Sequence, residues 1–313
     1  MATIMANGLN IAYESDGKPD DPCVLLVMGM GLQLISWPEH FVEGLVEQGY
    51  RVVRFDNRDS GLSSKMAQAG KPYLPLAYVK SLLGWPLKTS YTLDDMADDA
   101  LGLLAALGVD QAHVIGVSMG GMIAQVMAAR APQQVLSLTS IMSSSGRRGL
   151  PGPTRAARNA ILQRPKRNAS GVELLAHMAA TMRAIGSPAY PVAEKLLNQR
   201  IEAALQRSRC PEGEARQMLA IAASGERTGL LASIRCPALV IHGAHDPLIP
   251  LACGIDTAAL IPGAQLEVIE GMGHDMPPQL IERLLALIDV HLQGKMVPQI
   301  RFQRSQVTRK KLV

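Results

Sequence analysis

The junction Gly116-Val117-Ser118-Met119-Gly120 constrains this chain more than any other stretch. It joins a short apolar run, His113 to Val117, to a helical pattern from Met122 to Arg130 that stops at Pro132. A strand that is apolar along its length has to be covered on both faces, and a helix that follows it at once supplies one of the covers. Glycine two positions before and two after the serine lets that strand and helix approach closely. The same alternation recurs along the chain. Val24 to Val27 is a buried-strand pattern closed by Met28-Gly29-Met30-Gly31, and helical spacing from Phe41 to Gln48 leads to a second strand, Arg51 to Phe55. Thr92 to Leu107 places Leu93, Met96, Ala97, Ala100, Leu101, Leu104 and Leu107 three and four apart, an amphipathic helix. Its early aspartates, Asp94, Asp95, Asp98 and Asp99, are expected to serve the helix cap and dipole rather than a metal. Val135 to Met142, Ala238 to His242 and Gln265 to Ile269 add strands, and Gln279 to His291 a final helix. The pattern predicts an α/β fold with a mostly parallel central sheet flanked by helices.

Between Met142 and Ala238 the texture changes. Residues 146–228 are rich in Arg, Pro, Ala and Met, with helical patches at Leu174 to Met182 and Ala193 to Leu205 and no convincing strand. The expected organisation is a core of residues 1–145 and 229–294, a helical cap of residues 146–228, and a basic C-terminal tail of residues 295–313. Met178 and Met182 of the cap, with Met30, Met119 and Met276, either line an adaptable pocket or pack helices.

Composition removes other classes. With 313 residues, 48% of them hydrophobic and 19% charged, the chain can bury a large core and is not a disordered or fibrous protein. The apolar stretch Val24 to Leu32 is broken by glycines and falls short of the roughly 20 residues a membrane-spanning helix needs. Met1 to Asp16 has no basic segment followed by an apolar one, so the expectation is a cytoplasmic protein. Cys23, Cys210, Cys236 and Cys253 are scattered, which suits free thiols. The net charge of +4 sits largely in Lys295, Arg301, Arg304, Arg309, Lys310 and Lys311, leaving the rest of the chain slightly acidic. A second basic run, Arg147 to Arg167, lacks the interleaved aromatics that stack on bases, so no nucleic-acid partner is expected.

The chemistry follows from three residues. A serine on a tight strand-to-helix turn is presented for nucleophilic attack, but a hydroxyl needs a base and a group that orients the base. Asp246 follows the strand Ala238 to His242, and His274 follows the strand Gln265 to Ile269. Both stand at the strand edge where open parallel sheets assemble their sites. The order Ser118, Asp246, His274 is that expected for acyl transfer on such a sheet, with His274 as base and Asp246 as its orienting carboxylate.

These segments resemble the α/β-hydrolase family over the core of the chain. Val27-Met28-Gly29-Met30-Gly31, Ser36-Trp37-Pro38-Glu39 and Phe55-Asp56-Asn57-Arg58-Asp59-Ser60-Gly61-Leu62-Ser63 are similar to the aclacinomycin-methylesterase-like branch. The wider family more often has His-Gly after its third strand and glycine after the arginine. Here Met-Gly and Asp59 stand instead, departures the branch shares. The resemblance implies an oxyanion hole made by the backbone N–H groups of Met30 and Met119. It also implies a serine esterase acting on a small-molecule ester, with no cofactor and no metal. Carbon–carbon bond hydrolases, thioesterases, lactonases and acyltransferases use the same three residues and remain alternatives.

Three rival readings have some support. Gly29 and Gly31 after a strand, with Asp56 closing the next, partly match a dinucleotide fingerprint, but Leu34 stands at the third glycine position. His242, His245 and Asp246 suggest a metal site, although two histidines on a strand end and loop lack helical i, i+4 spacing. A catalytically silent interaction protein on the same fold is the non-enzyme alternative. The sequence carries no signal for oligomeric state.

Overall fold

A computed structural model describes residues 1–82, 85–163, 165 and 168–297 of the chain. One sheet contains β1 (Ala2–Ala6), β2 (Leu9–Asp16), β3 (Cys23–Val27), β4 (Arg51–Phe55), β5 (Ala112–Val117), β6 (Val135–Ile141), β7 (Ala238–Gly243) and β8 (Gln265–Ile269), in the order β1-β2-β4-β3-β5-β6-β7-β8. From β4 to β8 every neighbouring pair is parallel. The β1–β2 and β2–β4 pairs are antiparallel. The six apolar runs of the sequence are β3 to β8. The first two strands were not expected, though the sequence marks their turn: Asn7-Gly8 adopts φ of 48° and 74°, the left-handed pair a two-residue hairpin demands.

The helices are α1 (Glu39–Glu47), α2 (Leu74–Leu82), α3 (Leu93–Ala106), α4 (Met119–Arg130), α5 (Arg155–Leu162), α6 (Gly171–Ile185), α7 (Glu194–Arg207), α8 (Pro211–Ser224), α9 (Thr228–Ala232), α10 (Leu251–Leu260) and α11 (Ile281–Leu292). They build two cores, one on each face of the sheet. Leu25, Val27, Val53 and Phe55 pack with Met96, Leu103 and Leu104 of α3 and Ile123 and Met127 of α4. Val24, Leu26, Val52 and Ile115 pack with Phe41 and Leu45 of α1 and Leu284 and Ile288 of α11. Successive residues of β3 thus enter opposite cores, which is why that strand is apolar at every position. The two cores hold the sheet rigid beneath the loops at its C-terminal edge.

Of the α3 aspartates, Asp95 completes a capping box with Thr92, and Asp94 and Asp98 pair with Arg130 at the surface. Asp99 departs from the expected dipole role. It is buried and takes both Nε and Nη2 of Arg58, at 2.6 and 2.7 Å, plus the amide of Asn7.

The chain leaves β3 for β4 on one side and later places β5 on the other, so β3 is the point where strand order reverses. Loops diverge there and leave a crevice beyond the strand ends. Between β6 and β7 the described residues form α5 to α9 and no strand. This segment joins the crevice loops through buried polar groups. Arg207 of α7 reaches Asp56 at 2.7 Å and Gln33 at 2.8 Å, and Gln217 of α8 accepts the Gly31 N–H at 2.8 Å and donates to the Arg58 carbonyl at 2.7 Å. The basic tail expected over residues 295–313 lies outside the described residues beyond Val297. No helix among the described residues is long and apolar enough to cross a membrane.

Candidate active site

Ser118 stands between β5 and α4 with φ 55° and ψ −121°, one of four described non-glycine residues with positive φ. Such a conformation is costly unless its surroundings fix it. Here its N–H donates to the Ile141 carbonyl at 2.9 Å, and its own carbonyl accepts the Ser143 hydroxyl at 2.8 Å. The flanking glycines are steric requirements. A Cβ on Gly116 would lie 2.2 Å from the Gly120 carbonyl oxygen, and one on Gly120 would lie 2.0 Å from that of Val27. The junction therefore presses α4 against both its own strand and the end of β3.

His274 lies in the loop after β8, with Nε2 at 3.0 Å from Ser118 Oγ. Its Nδ1 lies 2.7 Å from Asp246 Oδ2 in the loop after β7. The second Asp246 oxygen accepts the N–H groups of Leu248 and Ile249, at 2.9 and 2.8 Å. The Asp246 side chain is fully buried and that of His274 nearly so, while Ser118 is half-buried. Three loops from three strands thus place a hydroxyl, an imidazole and a carboxylate in one hydrogen-bonded line. In the matching tautomer Nδ1–H donates to Asp246 and Nε2 accepts the serine hydroxyl.

The turn after β3 adjoins this line. A Cβ on Gly29 would meet Ser118 Cβ at 3.4 Å and Oγ at 3.9 Å. Met30 is the next residue, and Met119 opens α4, where backbone N–H groups have no intrahelical acceptor. The turn is fixed on both sides, by Asn57 donating to the Met28 carbonyl at 2.9 Å and by Gln217 holding the Gly31 N–H. The Met119 side chain is fully buried in the core that contains α3 and α4.

The rival readings meet different geometry. After Gly31 the chain enters a single 3-10 turn, Leu34–Ser36, and α1 begins only at Glu39, so no helix N-terminus faces the glycines as a bound pyrophosphate requires. His242 and His245 face different partners. His242 Nε2 donates to the Ile249 carbonyl at 2.8 Å, and burial pushes this imidazole below its usual pKa. His245 is exposed beside Glu270 at 3.4 Å. Among the described residues no cluster of three or more His, Cys, Asp or Glu could hold a metal ion. The four cysteines are free thiols, and burial raises those of Cys23 and Cys236 to about 11.

Residues 22–278 match the family model for the alpha/beta hydrolase fold. The chain belongs to this family. It is 30% identical over 304 residues to rhodomycin D methylesterase DnrP of Streptomyces peucetius, covering 91% of this chain and 95% of that one. It is 28% identical over 269 residues to a 2-hydroxy-6-oxononadienedioate/2-hydroxy-6-oxononatrienedioate hydrolase of a Pseudomonas species, covering 84% of each chain. Among solved structures, a meta-cleavage product hydrolase from Pseudomonas fluorescens IP01 superposes with a TM-score of 0.73 at 21% identity, covering 94% of this chain and 98% of that one. For an alpha/beta hydrolase, the loops that carry Ser118, Asp246 and His274 are the expected carriers of a reaction centre. The sequence did not single out Ser143, which holds the Ser118 carbonyl, or Gln217, Arg207 and Arg216, which hold the loops after β3 and β4. Nothing local marks them, since α7 and α8 are rich in other polar residues, and only the fold supplies their partners.

Proposed function

We propose that the protein is a serine hydrolase that cleaves carboxylic esters through Ser118, His274 and Asp246 by way of an acyl-enzyme. The observation that carries this reading is the unbroken line of hydrogen bonds, Ser118 Oγ to His274 Nε2 at 3.0 Å and His274 Nδ1 to Asp246 Oδ2 at 2.7 Å. As Oγ attacks the ester carbonyl carbon, Nε2 takes its proton. The negative charge that forms on the carbonyl oxygen is stabilised by the Met30 and Met119 N–H groups. Asp246 holds the imidazole in the tautomer that leaves Nε2 free to accept, and it stabilises the imidazolium. The imidazolium then protonates the leaving alcohol. Water repeats the sequence on the acyl-enzyme: His274 takes its proton, and Ser118 leaves protonated with the carboxylic acid released.

Residues 146–228 act in this reading as a helical cap that shapes the substrate site, the buried links from α7 and α8 to the loops after β3 and β4 being its support. The relative from Streptomyces peucetius, by its name a methylesterase, favours a methyl ester of a larger acid as substrate. The relative that cleaves an oxononadienedioate favours a second reading, hydrolysis of a carbon–carbon bond on the same three residues.

The test is a panel of methyl esters, p-nitrophenyl esters of rising acyl length, thioesters, lactones and meta-cleavage products, run beside labelling by a fluorophosphonate. Turnover of esters together with a label on Ser118 is the expected result. A protein that hydrolyses no member of the panel and leaves Ser118 unlabelled overturns the reading, and turnover of the meta-cleavage products alone selects the second.

A further inference from the structure

The loop that carries His274 is gripped from above by the segment between α6 and α7. The His274 N–H donates to the Ile185 carbonyl at 2.7 Å, the Gly273 N–H to Ser187 Oγ at 2.9 Å, and the Ala189 N–H to the Gly271 carbonyl at 3.2 Å. Two glycines make the approach possible. A Cβ on Gly273 would lie 2.3 Å from the Gly186 carbonyl oxygen, and one on Gly271 would lie 2.4 Å from the Ala189 Cβ. The Ser187 hydroxyl accepts from Gly273 and itself donates to Asp275 Oδ1. Ser187 is buried, so water does not compete for these bonds.

Asp275 is thus the residue next to the imidazole, yet its carboxylate is bonded to the helical segment and not to the ring. The charged or titratable groups that face it are His274 and Asp246 from the core loops and Arg200 from α7. His242 faces His274 from β7, and His245 and Glu270 flank the loop on its exposed side. Burial raises the Asp275 pKa above the ordinary carboxylate value, against the lowering effects of the Ser187 hydroxyl and N–H and of His274.

We infer that Ser187 and Asp275 are positioning residues, which clamp the His274 loop to the helical segment: the Ser187 hydroxyl ties the Gly273 N–H to the Asp275 carboxylate on either side of His274. The clamp fixes the backbone that carries the ring, while Asp246 orients the ring itself. The segment that shapes the substrate site therefore also sets the alignment of the base. This inference rests on the proposed hydrolase reading for its role in turnover, but not for its effect on the loop.

The experiment compares wild type with D275A, S187A and S187T by NMR of the His274 Nδ1 proton and by kcat and KM on the best ester of the panel. D275A removes the acceptor of the Ser187 hydroxyl, and S187A removes the hydroxyl itself. Each is expected to lower kcat about tenfold with KM within about twofold, and to speed solvent exchange of the His274 Nδ1 proton, because a loosened loop misaligns the base. S187T restores the hydroxyl and is expected to recover kcat. Unchanged kcat and unchanged Nδ1 proton exchange in S187A and D275A overturn the inference. Should D275A not fold, proton exchange in S187A decides alone. A wild type without ester turnover counts against the hydrolase reading, and the NMR measurements still decide the clamp.

Discussion

Asp59 and Arg216 meet as a buried bidentate ion pair, Nε to Oδ2 at 2.8 Å and Nη2 to Oδ1 at 2.7 Å, across 157 positions of sequence. Tyr91 donates its hydroxyl to the same carboxylate at 2.8 Å, as does the Met66 N–H, and Arg216 also caps the Gly70 carbonyl. Asp59 has φ 68°, in the left-handed region that favours glycine. This explains a departure in the sequence: the residue after Arg58 is the anchor for α8, and an aspartate tolerates that backbone better than most side chains.

Removing one partner of this pair leaves the other charged, buried and unpaired. Both D59N and R216L are expected to lose about 3 to 5 kcal/mol of unfolding free energy in urea titrations. The double variant D59N/R216L should lose less than the sum, since it strands no charge. Burial pushes the Asp59 carboxyl up, but Arg216, the Met66 N–H and Tyr91 outweigh it and hold the pKa below the ordinary value. The pair's contribution is therefore present above the unfolded carboxylate pKa and lost as pH falls through the lower folded value. A loss in the double variant equal to the sum of the two single losses would show that the pair is not coupled. The same reasoning applies to excising residues 146–228 outright: Asp56 and Asp59 would lose Arg207 and Arg216, the arginines that pair with them, so an insoluble product is expected.

S118A and H274A are expected to lower kcat on the best ester by about 10⁴ to 10⁶ while leaving the melting temperature near that of wild type. Retention of more than about a tenth of wild-type activity in either variant would remove that residue from the chemistry.

The junction glycines allow a contrast. G120A forces a Cβ toward a backbone carbonyl only 2.0 Å away, so a loss of about 1 to 3 kcal/mol or more is expected, with Ser118 displaced. Gly229 in α9 has open space around it, and G229A is expected to gain about 0.5 to 1 kcal/mol through helix propensity. Chemical denaturation of both variants checks the pair, and a neutral G120A would contradict the packing at the serine.

His291 is buried, its Nε2 bonded to the Leu138 carbonyl at 3.1 Å, and burial lowers its pKa to about 4. An unfolded histidine titrates near 6.5, so the unfolded state takes up a proton first as pH falls. Stability is then complete above about pH 6.5 and declines toward pH 4, by up to about 3 kcal/mol from this residue. Melting temperatures of wild type and H291Q between pH 7 and 4 are expected to converge as the pH drops. Parallel curves would mean that His291 does not titrate in this window.

Most of the parallel half of the sheet was legible because its inner strands are buried on both faces and so are written as continuous apolar runs. Val24 to Val27 and Ala238 to His242 are examples, each falling one residue short of its strand. The antiparallel β1 and β2 were missed: Met5 of β1 is exposed and blurs the alternation, and the Asn7-Gly8 turn between them is a local signal that needs the strands on either side to be recognised. In the segment between β6 and β7 the helical patches of α6 and α7 were readable, but α5 and α9 are only eight and five residues long, and α8 carries a weaker apolar stripe.

The sequence by itself determined the strand-to-helix junction around Ser118, the chain order of serine, acid and histidine, and the apolar sheet beneath them. Steric necessity at Gly116 and Gly120 and the periodicity of burial act over a few neighbouring residues, so local sequence can encode them. Only the tertiary structure decided that Asp99 answers Arg58, that Asp59 answers Arg216, and that Ser187 and Asp275 hold the loop of His274. A buried polar side chain states that it needs a partner but not which one. Partners far apart in sequence are chosen by the packing of the sheet and of the helices that cover it.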